Sequence, residues 1–130
     1  MADPFLTPLL HDPTSRLCLR NRRSGRVLAR RLLPALDSKT RRTGLLGRTS
    51  LAEGEAMIIA PTNAIHTWFM CFAIDIVFVN REGRIVKTRS TLKPWRMTGA
   101  LRGYAAIELP AGSLQSHDTI RGDILEITTA

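Results

Sequence analysis

The pattern of hydrophobic residues predicts a strand-rich domain centred on residues 65–80. Ile65 to Met70 and Ile74 to Asn80 are rich in Ile, Val, Phe and Trp, so both segments are expected to be buried on two faces. Met70 to Ala73 is predicted to form a short loop between them. Asn80 to Gly83 has the composition of a turn, and Arg84 to Leu92 returns with alternating polarity, which predicts a hairpin.

Weaker patterns on either side predict further strands and one or two short helices. In chain order they are a hairpin of Arg16–Arg20 and Arg26–Arg30, a helix capped by Asp37 or Ser38 and running to about Leu45, strands over Glu55–Pro61 and Tyr104–Leu109, a helical turn at Ser113, and a closing strand over Ile124–Thr128. The expected fold class is therefore mainly β (α+β), a small barrel-like or curled antiparallel sheet of about seven short strands with one or two short helices.

Length and composition fit one globular domain. The chain has 130 residues, of which 44% are hydrophobic and 23% charged, as in ordinary folded proteins. Residues 1–15 contain three prolines and are predicted to be an N-terminal extension, followed by a single β-rich domain over residues 16–130. No apolar run reaches the roughly 18–20 residues of a membrane span, and no secretory signal is seen, so we expect a cytoplasmic protein.

The positive charge is concentrated in the first 50 residues. They hold eleven Arg and Lys residues against three acids, which gives +8, whereas residues 51–130 hold eight of each. Such a surface can contact phosphates, anionic headgroups or an acidic partner, although a solvated face is the commoner explanation. The candidate residues for an anionic partner are Arg20, Arg22, Arg23, Arg26, Arg30, Arg31 and Arg42. No aromatic residue lies between Phe5 and Trp68, so this segment offers no base stacking.

The cysteines and short motifs point to no cofactor. Cys18 and Cys71 form neither a disulfide framework nor a CxxC pair, and both are predicted to be buried, reduced thiols. No phosphate-binding, dinucleotide-binding, GxSxG, HExxH or zinc-finger pattern occurs in the sequence. The sequence therefore predicts no cofactor and no metal site.

Two carboxylates interrupt apolar segments, Asp75 between two isoleucines and Glu108 between Ile and Leu. An isolated carboxylate inside a core costs several kcal/mol. Asp75 is therefore either an anchor that accepts hydrogen bonds from the backbone or from Arg42, or a polar group at the floor of a pocket. Glu108 either faces water by strand alternation or joins Asp75 in a pair for acid–base chemistry or for a hard metal.

Aromatic and basic residues complete a candidate ligand site. If Ile65 to Met70 is a regular strand, His66, Trp68 and Met70 share one face and Cys71 lies on the other, which argues against a Cys–His nucleophile pair. An open face would form an aromatic-walled cleft, and a closed one would be core packing. Trp95 and Arg96 follow a proline on a predicted loop, where they either bind a ligand or fold back with Arg96 paired to Glu108. The candidate ligand-binding residues are His66, Trp68, Met70, Asp75, Trp95, Arg96 and Glu108.

From Arg41 onward the sequence contains a series of ordered blocks. They are Arg42-Thr43-Gly44-Leu45-Leu46-Gly47-Arg48, Ile65-His66-Thr67-Trp68-Phe69-Met70, Ile74-Asp75-Ile76-Val77-Phe78-Val79, Pro94-Trp95-Arg96, Ile107-Glu108-Leu109-Pro110-Ala111-Gly112 and Gly122-Asp123. In these blocks the chain resembles the bacterial and archaeal domain of unknown function 192, over roughly residues 17–128. The resemblance implies a compact, mainly β domain and no agreed activity, so it assigns no catalytic residue. Many relatives carry a signal sequence or lipid anchor, and this chain departs from them there.

These observations favour a non-enzymatic domain that binds an unknown small molecule or peptide segment in a cleft near His66, Trp68, Asp75 and Trp95. One alternative is a hydrolase-like enzyme that uses Asp75, Glu108 and His66. Another is an electrostatic nucleic-acid binder that acts through the Arg-rich residues 16–48. His66 and Asp75 are the two positions of residues 65–80 that a hydrophobic core does not require, and each can be scaffold or site.

Overall fold

The computed structural model describes residues 5–11 and 16–129, which contain short strands and short helices. In chain order the elements are α1 (Thr7–His11), β1 (Leu17–Asn21), β2 (Val27–Ala29), β3 (Arg31–Ala35), α2 (Ser38–Thr43), β4 (Glu55–Ile59), β5 (Ala64–His66), β6 (Ile74–Val79), β7 (Ile85–Leu92), β8 (Met97–Gly99), β9 (Ala105–Pro110), α3 (Ser113–Ser116) and β10 (Leu125–Thr129). The predicted mainly β class is confirmed, and the described residues contain ten strands rather than about seven. None of the helices in this part of the chain is long and apolar enough to cross a membrane.

The strands form three sheets. The largest has the order β3-β4-β9-β6-β7, in which β3 runs parallel to β4 and the other neighbours are antiparallel. A second sheet has the order β10-β1-β2, and β5 pairs with β8 in a two-stranded ribbon. The sheets are curled, as predicted, although none closes into a barrel within residues 5–11 and 16–129.

The central strands of the largest sheet are buried on both faces. Along β6, Val77 and Val79 pack into one hydrophobic cluster, whereas Ile76 and Phe78 pack into another. The first cluster includes residues of β1, β2 and β10, and the second includes Leu45 beyond α2 and residues near β5. Double burial explains why β6 is continuously apolar instead of alternating, and it confirms the prediction for Ile74 to Asn80.

The sequence does not predict β3 and β8. β3 contains Pro34, but it lies at the edge of its sheet, where a missing N–H is tolerated. β8 is three residues long and pairs with β5, so that Met97 lies opposite His66. The strand conformation of both segments depends on partners elsewhere in the chain, which a local pattern does not reveal.

The predicted strand over Ile65 to Met70 is wrong beyond His66. Thr67 is fully buried, and its hydroxyl donates to the Lys93 carbonyl (2.6 Å) and accepts from the Arg96 N–H (2.9 Å). Phe69 then adopts a positive φ of 65°, which a strand does not allow. A loop therefore runs from residue 67 to residue 73, and strand alternation does not place His66, Trp68 and Met70 on one face.

Two further expectations concern the cysteines and the N-terminal segment. Cys18 is buried as predicted, but the prediction that Cys71 is buried is wrong: Cys71 is exposed in the loop from residue 67 to residue 73. Phe5, Leu6 and Leu9 are buried in the first hydrophobic cluster. The predicted boundary between residues 15 and 16 adjoins residues 12–15, which lie outside the described part of the chain.

A buried polar network joins the β1–β2 hairpin to the turn before β10. Asn21 is fully buried, and its Nδ2 donates to Asp123 Oδ2 at 2.8 Å. The same carboxylate accepts from the Ile120 N–H (3.0 Å) and from Arg23 Nε (2.6 Å). The hydrogen bond from Arg23 lowers the pKa of Asp123 to about 2, because it stabilises the charged form.

We expect Asp123→Ala to lower the free energy of unfolding by about 2 kcal/mol, because it leaves Asn21 and the Ile120 N–H without an acceptor. The depressed pKa adds a pH signature: this stability is present above about pH 4 and is lost as the pH falls towards 2. Urea denaturation at pH 7 measures the loss of stability, and the same experiment at pH 3 measures how far that loss shrinks as Asp123 becomes protonated. The control is Asp118→Asn, which removes an exposed charged partner of Arg23, keeps a residue that tolerates the positive φ of 48° at this position, and should cost less than about 0.5 kcal/mol. Equal losses in the two variants would contradict the role of the network.

Candidate ligand-binding site

A cavity of about 440 Å³ opens beside the largest sheet, next to α2 and β5. Its lining includes Glu108 from β9, Ile59 from β4, His66 from β5 and Met70 from the following loop. Residues 41–46, at the end of α2 and just beyond it, complete the opposite wall. The cavity therefore combines apolar side chains with one acid and several basic groups, a composition typical of small-molecule sites.

Glu108 is the acid of this cavity. It lies on β9, opposite Met57 of β4 and Ile76 of β6, and only 4% of its surface is exposed. Its Oε2 is buried without a hydrogen-bond partner; the other such side-chain atom in the described residues is Thr98 Oγ1, outside the cavity lining. Burial raises the pKa of Glu108 to about 7. Near neutral pH the carboxyl can therefore be protonated or ionised, and can donate or accept a hydrogen bond.

α2 brings positive charge to the cavity. Asp37 caps the helix as predicted, since it accepts from the Thr40 N–H at 2.8 Å. The helix ends at Thr43 and not near Leu45, because Gly44 adopts a positive φ of 48°. Arg41 donates to the Leu36 carbonyl (3.0 Å). Arg42 lines the cavity, is exposed, and has no ion-pair partner among residues 5–11 and 16–129, so its guanidinium is available to a ligand.

His66 connects the cavity to an aromatic surface. Its ring stacks on Trp68, with 4.7 Å between the ring centroids. The Trp68 N–H donates to His66 Nδ1 at 3.3 Å, so the neutral ring carries its proton on Nε2. Met97 faces His66 across the β5–β8 ribbon. These contacts fix the ring at one edge of the cavity.

The structure brings together some of the residues predicted for a ligand site. His66, Met70 and Glu108 line the cavity, and Trp68 contacts His66. Trp95 lies on the loop before β8 and packs against Phe69, with 4.6 Å between ring centroids. Arg96 donates to the carbonyls of Pro94 and Trp95, not to Glu108. The expected alternative of an Arg96–Glu108 ion pair is therefore not formed.

Asp75 lies apart from the cavity. Asp75 is in register with Leu109 and Ile76 with Glu108, so the two carboxylates point to opposite faces of the sheet. Asp75 is fully buried, and its oxygens accept from the N–H groups of Thr91 (2.8 Å) and Leu114 (3.0 Å). Neither the pairing of Asp75 with Arg42 nor the pairing with Glu108 is formed. In this position Asp75 is an anchor for two backbone segments.

The predicted anion-binding arginines are largely engaged in ion pairs. Arg20 and Arg22 bind Glu126, Arg23 binds Asp123, and Arg31 lies 3.6 Å from Glu55. Within the described residues, Arg26, Arg30 and Arg42 have no carboxylate partner. Of these three, Arg42 lines the cavity. Much of the positive charge of the first 50 residues is therefore neutralised by acids that lie after residue 50.

The sequence does not identify several residues that line the cavity, among them Arg41, Leu46 and Thr62. Arg41 and Leu46 flank the end of α2, which the sequence places about two residues too late. The block Arg42 to Arg48 that supports the family resemblance is the signal that points to this segment. Nothing in its local pattern indicates that it faces Glu108, since Glu108 is more than sixty positions away in the chain.

No group of three or more His, Cys, Asp or Glu side chains that could hold a metal ion occurs within residues 5–11 and 16–129. Glu108 is the cavity's single carboxyl, and His66 is bonded through Nδ1 to the backbone.

The curled sheets define a small, mainly β domain with a cavity that contains one buried carboxyl. The family described as uncharacterised ACR, the domain of unknown function 192, matches residues 20–127, and the chain belongs to this family.

Two solved structures are similar to the chain. One is a protein of unknown function from Novosphingobium aromaticivorans DSM 12444, with 24% identity and a TM-score of 0.73, covering 85% of this chain and 82% of that one. The other, from Sinorhizobium meliloti 1021, is described as a "putative transcription regulator", with 22% identity and a TM-score of 0.74, covering 86% of this chain and 92% of that one. At these identities the likeness shows a shared fold. No curated protein shows significant similarity to the chain.

Proposed function

We propose that the protein is a non-enzymatic small-molecule-binding domain whose ligand occupies the cavity against Glu108. The observation that carries this proposal is Glu108, a buried carboxyl that lines an open cavity and whose Oε2 has no hydrogen-bond partner. Buried polar groups in folded proteins are almost always satisfied, and an unsatisfied one costs about 1–3 kcal/mol. A ligand that forms a hydrogen bond with this carboxyl would offset that cost, and ligands without a matching polar group would bind less tightly.

The lining also indicates the chemistry of the ligand. The cavity volume of about 440 Å³ suits a metabolite-sized molecule. A hydroxyl, amide or amine on the ligand can donate to Glu108, and an acceptor or anionic group can bind Arg42 at the rim. Ile59, Ile65 and Met70 provide apolar contacts between these two polar ends.

Binding is favoured over hydrolysis by the sheet register. Two-carboxylate hydrolysis needs both acids on one site, separated by about 5–9 Å. Asp75 faces the opposite side of the sheet from Glu108, and both of its oxygens are used by backbone N–H groups. The cavity therefore offers one titratable carboxyl and no second acid to work with it.

A fragment screen tests the proposal. Amines, amides, polyols and small hydroxy acids are added to ¹⁵N-labelled protein, and backbone amide shifts are followed. We expect hits to perturb amides near Leu46, Thr62 and His66, which line the cavity. Glu108→Leu should weaken these hits at least about tenfold, since a hydrogen bond to the carboxyl is lost. Glu82→Gln, in an exposed turn, is the matched control and should leave them unchanged.

The proposal is wrong if no fragment perturbs the cavity amides, or if hits bind Glu108→Leu as tightly as the unaltered protein. Glu108→Leu replaces an unsatisfied buried carboxyl by an apolar group of similar size, so the variant is expected to fold.

A further inference from the structure

A second surface of the molecule combines exposed aromatic residues with positive charge. We use the name aromatic loops for residues 67–70 and 93–97, which lie side by side next to the β5–β8 ribbon. Phe69 is 73% exposed, Trp95 57% and Met97 62%. The aromatic loops hold both tryptophans of the chain. Large apolar groups exposed together mark interaction surfaces more often than solvated ones.

The aromatic loops are held together as one rigid unit. The Thr67 N–H donates to the Arg96 carbonyl (2.8 Å), and the Trp95 N–H donates to the Thr67 carbonyl (3.0 Å). The buried Thr67 hydroxyl adds bonds to residues 93 and 96. Phe69 and Trp95 both adopt positive φ, 65° and 64°, which bulky residues rarely do. The fold thus maintains an unusual backbone that presents two aromatic rings to the exterior.

The chain segments that carry these loops contain basic residues and no acid, and Glu108, which lines the cavity together with Met70, is buried. Residues 56–74 and 83–107 contain no Asp or Glu, whereas residues 83–107 contain six Arg and Lys residues. Two of these, Lys93 and Arg96, lie within the aromatic loops and are exposed. In the described residues neither forms an ion pair. The surface is therefore suited to a partner that is anionic and also accepts apolar groups.

We propose that the aromatic loops dock on the headgroup region of an anionic lipid bilayer. Trp rings favour the boundary between headgroups and acyl chains, and Phe69 and Met97 supply apolar groups that can enter it. Lys93 and Arg96 attract anionic headgroups, each basic residue adding to binding at low salt. This role is independent of the ligand proposed for the cavity.

Single-stranded nucleic acid is the rival occupant, and the composition of the surface favours a lipid instead. Base stacking uses free ring faces. In the pairs His66–Trp68 and Phe69–Trp95, at least one ring face is already covered by the partner ring. The exposed Met97 also offers no planar surface for a base. Apolar insertion into a bilayer uses ring edges and aliphatic groups instead, so a lipid surface suits the arrangement better.

Vesicle binding tests the proposal. The protein is mixed with phosphatidylcholine vesicles, with or without about 30 mol% phosphatidylglycerol, the anionic fraction that gives the surface its negative potential. We expect cosedimentation with the anionic vesicles and a blue shift of tryptophan emission. Brominated lipids should quench that emission, and this readout needs no variant because both tryptophans lie in the aromatic loops.

Matched variants locate the surface. The double variant Phe69→Asn/Trp95→Asn removes both aromatic side chains and introduces Asn, which tolerates the positive φ at these two positions. It should weaken vesicle binding at least about tenfold. Ile120→Asn, at a position with the same 57% exposure as Trp95, should not. Lys93→Gln with Arg96→Gln should weaken binding more than Arg26→Gln with Arg30→Gln, although each pair lowers the net charge from +8 by two.

Three results would overturn the proposal. The first is no binding to anionic vesicles at low salt. The second is equal binding by the Lys93/Arg96 and Arg26/Arg30 variants, which would indicate net charge alone. The third is a labelled oligonucleotide that binds through Phe69 and Trp95 while vesicles do not.

Discussion

Glu108→Gln is expected to stabilise the protein more at high pH than at low pH. The difference in the free energy of unfolding between the variant and the unaltered protein should be about 3 kcal/mol larger at pH 9 than at pH 4. Burial raises the pKa of Glu108 from 4.5 to about 7, because the folded protein disfavours the charged form. The contribution of Glu108 to stability is therefore fully present below about pH 4.5 and is lost as the pH rises through about 7. Each unit of pKa difference corresponds to about 1.4 kcal/mol, and Gln does not titrate in this range.

Guanidinium denaturation at pH 4, 7 and 9 measures the effect. Glu82→Gln serves as the control, since this exposed side chain should show the same difference from the unaltered protein at every pH. A constant difference for Glu108→Gln across the range would show that Glu108 titrates normally in the folded protein. A carboxyl that reduces stability at neutral pH is typical of functional sites, where stability is exchanged for activity or binding.

Asp75→Ala is expected to lower the free energy of unfolding by about 4 kcal/mol, the largest loss that we anticipate for a single substitution. The change leaves the N–H groups of Thr91 and Leu114 without their acceptors, each costing about 1–3 kcal/mol, and adds a small cavity. Thr91 has a positive φ of 50° at the register shift between β6 and β7, so this irregularity of β7 depends on the bond to Asp75. Thermal denaturation should show a fall in Tm of roughly 10–15 °C.

Asp75→Asn provides an intermediate case. It retains one carbonyl acceptor but turns an NH₂ group towards the second N–H, so the loss should be smaller than for Ala, at about 2 kcal/mol. Fragments that bind the cavity should still bind the folded Asn variant, because Asp75 faces the opposite side of the sheet. Loss of fragment binding without loss of stability would assign Asp75 to the site and not to the scaffold.

The fold was predictable where burial leaves a simple pattern. β6 is apolar at nearly every position because both faces are covered, and the turn at residues 80–83 fixes the hairpin with β7. The end of β5 was not predictable. It is determined by the Thr67 hydroxyl, whose partners lie 26 and 29 residues further along the chain. Local periodicity carries no information about such a bond.

The candidate site shows the same limit. Asp75 and Glu108 look alike in the sequence, since each is an acid between large apolar residues. The register between β6 and β9 separates them, because it turns one towards two backbone donors and the other towards a cavity. The identity of these residues was therefore predictable from the sequence, and the difference in their surroundings was not.

The pairing of β1 with β10 has a consequence for folding. Leu17 lies opposite Thr129, so the sheet that covers the first hydrophobic cluster joins residues more than a hundred positions apart. During synthesis β1 has no β10 to pair with until residues 125–129 leave the ribosome, and until then the apolar side chains of β1 lack their cover. Contacts of this length form slowly, which exposes the nascent chain to chaperones and to aggregation.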